Sequence, residues 1–162
     1  MAFDGFAREL LLDYKFNRSL HLVSDLTDFL EGALNARFRP FEIDVVVPIP
    51  ITLAHRWLRG YDQTSYLART LAGRLRRRCD FLSLGRIGHP ERQGGLTEEQ
   101  RRENVRGTFV IRRPDMIRGR TILLVDDVMT TGSTFSEAAK TLKDAGASRV
   151  WCVSVVRSLR NL

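Results

Sequence analysis

The chain has 162 residues, 43% of them hydrophobic and 28% charged, with a formal net charge of +7, a balance that suits one soluble globular domain spanning 1–162 and leaves no room for two full ones. No stretch approaches the roughly 18 apolar residues needed to span a bilayer, and the opening "MAFDGFARELLLDYKF" carries charges throughout, so it reads as an amphipathic helix and not as a secretory leader. Cys79 and Cys152 stand alone, without CxxC spacing, which argues against a disulfide framework or a zinc site and makes cytoplasmic residence, with no membrane partner, the expectation.

Residues 5–15 and 20–36 show helical spacing, with Phe6, Leu10 and Tyr14, then Leu22, Leu26, Phe29 and Leu30, on single faces. "IDVVVPIP" (43–50) is a continuous apolar strand cut off by prolines. Residues 61–78 read as a helix with Tyr66, Leu67, Leu71 and Leu75 as its apolar positions. This helix and its approach carry most of the charge asymmetry: Arg56, Arg59, Arg69, Arg74, Arg76, Arg77 and Arg78 fall within 23 residues and are opposed only by Asp62. Such an excess concentrates anions, whether phosphorylated metabolites or nucleic acid; a solvated helix face is the plainer reading.

"CDFLSLGRI" (79–87) predicts a single strand, and residues 88–106 a long polar loop with a helical turn after Thr97, whose spacing to Gln100 is close to a capping box. Strands follow at 107–112 and 121–126, a helix from Ser133 to Ala145 stops at Gly146, and "RVWCVSVVR" (149–157) makes the last strand. Nearly all-apolar strands alternating with amphipathic helices predict an α/β fold, a mostly parallel central sheet flanked by helices on both faces. Ligands of such sheets bind at the carboxyl ends of the strands. The end of the 121–126 strand and "VPIP" (47–50) therefore converge on one edge.

The first of these ends in "TILLVDDVMTTGST" (121–134), four apolar residues and a threonine running into two adjacent carboxylates and then a short polar loop. The loop turns the chain into a helix whose first N–H groups have no intrahelical partner and carry the positive end of the helix dipole. Thr130, Thr131, Ser133 and Thr134 add hydroxyls, and Gly132 permits close backbone approach, which together make a phosphate cradle. Asp126 and Asp127 set hydrogen-bond acceptors beside it, the pairing that a phosphorylated sugar needs. A nucleotide-binding strand of the Walker B kind would need a GxxxxGK[ST] loop, which the chain lacks. A receiver domain places its acids near the start, whereas 35 residues follow Asp127 here.

"LLVDDVMTTGST" resembles the phosphoribosyl-pyrophosphate (PRPP) motif of type I phosphoribosyltransferases. "FDGFARELLLDYKF" (3–16), "VVVPIP" (45–50), "RWLRGYDQTSYLARTLA" (56–72) and "RQGGLTEEQRRENVRGTF" (92–109) occur with it in the order seen in ComF-type competence proteins, so the likeness runs over nearly the whole chain. It implies a type I phosphoribosyltransferase fold with a flexible hood loop over 88–106. It also implies that Asp126 and Asp127 take the ribose hydroxyls of PRPP and serve as the catalytic pair, and that Thr130, Thr131, Gly132, Ser133 and Thr134 hold the 5′-phosphate. Pro48, Ile49 and Pro50, with Arg56 and Arg59, would form the pyrophosphate loop, and Arg101 and Arg102 would meet pyrophosphate from the hood. The implied reaction is displacement at C1 of the ribose by a nitrogen nucleophile, with Mg²⁺ carried by PRPP and no metal held by the protein alone.

Two departures qualify that resemblance. Purine-salvage relatives carry an Asp where this chain has Thr130, which disfavours purine salvage. Longer ComF-type proteins begin with a four-cysteine zinc-binding segment, and this sequence is expected to start beyond it, at about Phe3, as a shortened piece, a naturally short form or one whose acceptor site is missing. ComF-type proteins are associated with DNA uptake, so the alternative is a non-catalytic accessory protein that binds PRPP, single-stranded DNA or both, with 56–78 as the basic surface and Trp57, Tyr61 and Tyr66 as stacking candidates. A homodimer stays open. His21, His55 and His89 are scattered and read as surface or capping residues.

Overall fold

The computed structural model describes residues 21–37, 42–51, 62–87 and 97–157. The helix expected at 5–15, Arg56, Arg59 and the first part of the expected hood, 88–96, lie outside the described residues.

Helix α1 (Leu22–Arg37) buries Val23, Leu26, Leu30 and Leu34. Phe29, expected on that face, is 50% exposed. At 3.6 residues per turn it sits about a third of a turn from the middle of the stripe. Strand β1 (Val45–Pro48) is buried throughout. Helix α2 (Gln63–Arg74) opens at Asp62, whose carboxylate accepts from the Ser65 N–H at 3.0 Å, an N-cap that supplies one of the orphan donors of the first turn with a partner. Its buried face is Leu67, Ala68, Leu71 and Ala72, while Tyr66 is turned outward. Arg74 reaches across to α1, pairing with Asp28 and donating to the Ser24 carbonyl at 3.2 Å.

The run 79–87 is not one strand. Residues Arg78–Cys79 form β2 and Leu84–Arg86 form β3, in different sheets. Asp80 makes the break: its carboxylate accepts from the Leu82 and Ser83 N–H groups at 2.9 and 3.0 Å and from the Ser83 hydroxyl, a local turn that competes with the ladder. Helix α3 (Glu98–Val105), strand β4 (Phe109–Ile111) and a 3₁₀ turn (Pro114–Met116) lead to β5 (Thr121–Met129), α4 (Ser133–Asp144) and β6 (Arg149–Arg157). Helix α4 stops at the left-handed Gly146 (φ +93), with the Ala147 N–H returning to the Leu142 carbonyl at 3.0 Å.

Among the described residues, β2, β1, β5 and β6 form a wholly parallel sheet in that order, and β3 and β4 an antiparallel ribbon. Because side chains alternate along a strand, the sheet has two cores. Leu123 and Val125 of β5 join Val46, Val153 and the apolar stripes of α1 and α2. Ile122 and Leu124 join Val45, Val47, Leu84, Phe109 and the α4 residues Phe135, Ala138 and Leu142. Burial on both faces is why these strands read as unbroken apolar runs, and each fully buried aliphatic side chain contributes about 1.5–3 kcal/mol. Pro48 is tolerated in an interior strand because β2 pairs only with Val45 and Val46, so no β2 partner faces its missing N–H.

Candidate functional site

Parallel pairing brings the two sequence signals together. Pro48 is in register with Val125, and the Ile49 N–H donates to the Val125 carbonyl at 2.8 Å, so the Pro48–Pro50 turn lies directly beside Asp126. Strand β5 continues to Met129, however, past the 126 end read from the sequence, because β6 pairs with it as far as Met129 and Arg157. The acids are therefore members of a strand and not of the loop after it.

Strand alternation answers the repulsion that two adjacent carboxylates imply. Asp126 follows Leu124 toward the ribbon and α4, and Asp127, 7% exposed, follows Val125 toward the side that α2 covers. The Asp127 N–H donates to Asp126 Oδ1 at 2.9 Å, holding the first carboxylate against its own strand.

The loop beyond is shaped by Gly132, whose φ of +79 is the left-handed region an L side chain rarely enters. Gly132 is the N-cap of α4 and offers no side chain to cap it, while its carbonyl accepts from the Ser136 N–H at 2.9 Å. The Thr131 and Ser133 hydroxyls are 2.7 Å apart, and Thr131 Oγ1 also lies 3.4 Å from the Ser133 nitrogen. Buried Phe135 anchors the first turn in the core. The start of α4, its helix dipole and four hydroxyls thus gather around one turn, the kind of surface that suits an anion.

Arg86 escaped the sequence reading. It ends β3, with its guanidinium 5.2 Å from the Phe109 ring centre, and its Nε is buried without a hydrogen-bond partner among the described residues. Burial pushes its pKa down, opposed by the charge of Asp126. A partly desolvated cation near enough for the charge of the first carboxylate to act on it is a mark of a functional site. The signal available was a lone arginine inside "SLGRI", a segment otherwise fit for a core strand.

Arg101 and Arg102, expected on a flexible loop, fall within α3, a regular helix. Thr97 and Gln100 form a complete capping box there, at 3.3 Å and 2.8 Å. Arg102 is exposed. Val105 is the buried anchor of α3, and the Gly107 N–H that follows donates to Glu137 of α4 at 2.7 Å.

Residues 65–161 match the model of the phosphoribosyl transferase domain. The chain belongs to that family. Within it, the chain is 31% identical over 149 residues to the DNA utilization protein YhgH of Escherichia coli K12, covering 89% of this chain and 65% of that protein. It is 28% identical over 157 residues to competence protein F of Haemophilus influenzae, covering 92% and 67%. The chain thus spans about two thirds of the length of these curated relatives. Among solved structures it superposes on an adenine phosphoribosyltransferase with a TM-score of 0.57 at 19% identity, over 88% of this chain and 73% of that one. A glutamine PRPP amidotransferase from Bacillus subtilis gives 0.56 at 18%, over 90% and 30%. These likenesses carry the fold: this phosphoribosyl transferase domain has the type I architecture, with its central parallel sheet flanked by helices. No helix among the described residues is long and apolar enough to cross a membrane.

Proposed function

We propose that the chain binds PRPP at the edge formed by β1 and β5 and transfers its phosphoribosyl group to a nitrogen acceptor, releasing pyrophosphate. The observation that supports this reading is the continuity of Asp126, Asp127 and the left-handed Gly132 turn with the start of α4, which brings acids and loop hydroxyls together at one strand end. Asp126, on the α4 side of β5, accepts from the ribose hydroxyls, and Thr130 to Thr134 take the 5′-phosphate; Asp127, buried toward the α2 side, positions the first carboxylate through its N–H on Asp126 Oδ1. The Pro48–Pro50 turn, beside Val125, leads to the pyrophosphate. The C1–oxygen bond breaks with its electron pair leaving on pyrophosphate, the acceptor nitrogen forms the new bond at C1, and that nitrogen loses a proton. The protein's contribution is positioning and electrostatic stabilisation.

No cluster of three or more His, Cys, Asp or Glu able to hold a metal exists among the described residues. Mg²⁺ would arrive on PRPP, and Asp126, at the end of β5 beside the Gly132 turn, would be the carboxylate to meet it. When bound, Mg²⁺ neutralises charge on the leaving group. Thr130 offers a hydroxyl and no carboxylate for an acceptor's proton, which speaks against purine salvage.

Calorimetry with PRPP and Mg²⁺ tests the site: binding is expected in the native protein and lost in the Asp126→Asn, Asp127→Asn double variant, and unaltered binding there would sink the assignment. Pyrophosphate release with a panel of bases and amines tests turnover, and silence across the panel removes the catalytic claim. A second reading, an accessory protein of DNA uptake in the cytoplasm that binds single-stranded DNA, is supported by the net charge of +7 and by the relatives named for DNA utilization and competence.

A further inference from the structure

The turn that splits residues 79–87 does more than end a strand. Asp80 accepts three hydrogen bonds within four residues, and those bonds, helped by nearby Arg113, outweigh the effect of burial and hold its pKa below the ordinary 3.8. A turn tied this firmly nevertheless presents Phe81 and Leu82 to solvent, 41% and 51% exposed. Tyr66, turned out of the α2 core, is 43% exposed. Ser65, Tyr66, Arg69 and Phe81 together line an open pocket of about 220 Å³, and the Arg69 guanidinium lies 6.0 Å from the centre of the Phe81 ring.

Large apolar side chains held out on a rigid support, beside a cation, mark a binding surface and not a packing fault. The pocket has the size of one planar ring system, two aromatic faces, a hydroxyl at Ser65 and a positive charge at Arg69. Asp80, in the same turn as Phe81, is engaged by its own backbone, and the Asp62 carboxylate caps α2. Exposed Arg76, Arg77 and Arg78 follow at the far end of α2, so the charge along this side of the molecule favours a polyanion. A protein partner would find only a small apolar area here, whereas a base stacks on a single ring.

We propose that Tyr66, Phe81 and Arg69 form a stacking site for an unpaired nucleobase of a single nucleic-acid strand, the adjacent phosphate lying toward Arg69. The inference rests on the nucleic-acid reading given above and is independent of PRPP. The site opens at the same edge of the sheet as Asp126, since α2 starts and β2 ends there. In the order β2, β1, β5 it stands two strands away, roughly 10 Å across the sheet. The stacking site is therefore separate from the sugar-phosphate site.

The test uses the full chain and a labelled oligo-dT of about 12 nucleotides, with fluorescence anisotropy across a salt series. Phe81→Ala and Tyr66→Ala are each expected to raise Kd about tenfold, Phe81→Tyr to keep the native affinity, and Arg69→Ala to lower the slope of log K against log salt by about one. PRPP binding by calorimetry stays unchanged in all four. Native affinity in both alanine variants overturns the pocket while leaving the nucleic-acid reading intact, and no binding by the native protein at low salt overturns both. If dTMP alone competes as well as the oligonucleotide, the occupant is a free nucleotide and the strand is ruled out. A concentration-dependent dimer that Phe81→Ala abolishes, by size-exclusion chromatography, reassigns the patch to self-association and also ends the proposal.

Discussion

Glu137 of α4 accepts a hydrogen bond from the backbone N–H of Gly107 at 2.7 Å, tying the exit of α3 to the helix that begins at Gly132. Thirty residues separate the two in sequence. The bond matters because α3 closes the segment expected to form the hood, so its fixed end is moored one turn from the proposed phosphate cradle.

Glu137→Ala removes a side-chain acceptor at a half-buried position and is expected to cost about 1 kcal/mol. In a chain of this size that lowers Tm by about 2–4 °C. Glu137→Gln, which keeps an acceptor, retains most of it. Differential scanning calorimetry of the two variants decides the point, and an unchanged Tm in Glu137→Ala means the latch contributes nothing.

Gly132→Ala separates conformation from packing. A Cβ at Gly132 would meet nothing nearer than Met129 Sδ at 3.8 Å, so the cost arises from φ +79 alone, about 1–2 kcal/mol. Gly132→Asn should cost less, because Asn tolerates the left-handed region. PRPP affinity should fall in the same order, since the strained turn carries the proposed phosphate donors; equal affinity in all three proteins contradicts that placement.

Arg86→Met distinguishes a ligand contact from a structural ion pair. The substitution removes a half-buried cation whose Nε lacks a hydrogen-bond partner among the described residues, while keeping a long side chain over Phe109. Relief of desolvation offsets the lost cation–π contact, so stability should change by less than about 1 kcal/mol. PRPP binding should weaken about tenfold or more. A large loss of stability with intact binding assigns Arg86 a structural role instead.

The two thiols give a pH dependence. Burial pushes Cys79 up to about 12, aided by Asp80 against Arg69, and burial pushes Cys152 up to about 11, both from 9.0. Both are held neutral more strongly in the native state than in the unfolded chain. Their contribution is complete below about pH 9.0 and is lost as pH rises toward 11 and 12. Urea denaturation at pH 8 and pH 10 should show reduced stability at the higher value, with a smaller reduction in Cys152→Val. An identical slope in that variant removes Cys152 from the account.

Runs of β-branched and aliphatic residues announced β1 and the first part of β5, because strand segments buried on both faces need few polar positions that would confuse the pattern, and the apolar run of β6 was legible despite its partly exposed positions. The Gly132 turn was equally legible, since a glycine in a left-handed N-cap leaves its mark in the loop composition. Phe29 and Tyr66 misled in the opposite sense: a large apolar residue near a helix stripe is counted as core until a neighbouring element shows which side is covered. The strand at 79–87 failed because Asp80 could satisfy the backbone locally, a competition that apolar composition does not register.

By itself the sequence determined the parallel α/β class, the two acids and the glycine turn, all properties of short segments whose period and residue types are set locally. Only the tertiary structure decided that Asp126 and Asp127 leave opposite sides of β5, that Arg86 comes to face the first of them from a second sheet, and that Phe81 stands beside Tyr66 and Arg69. Those relations depend on strand order and on where each ladder ends. Such choices are fixed by packing between elements distant in the chain, so no single segment contains them.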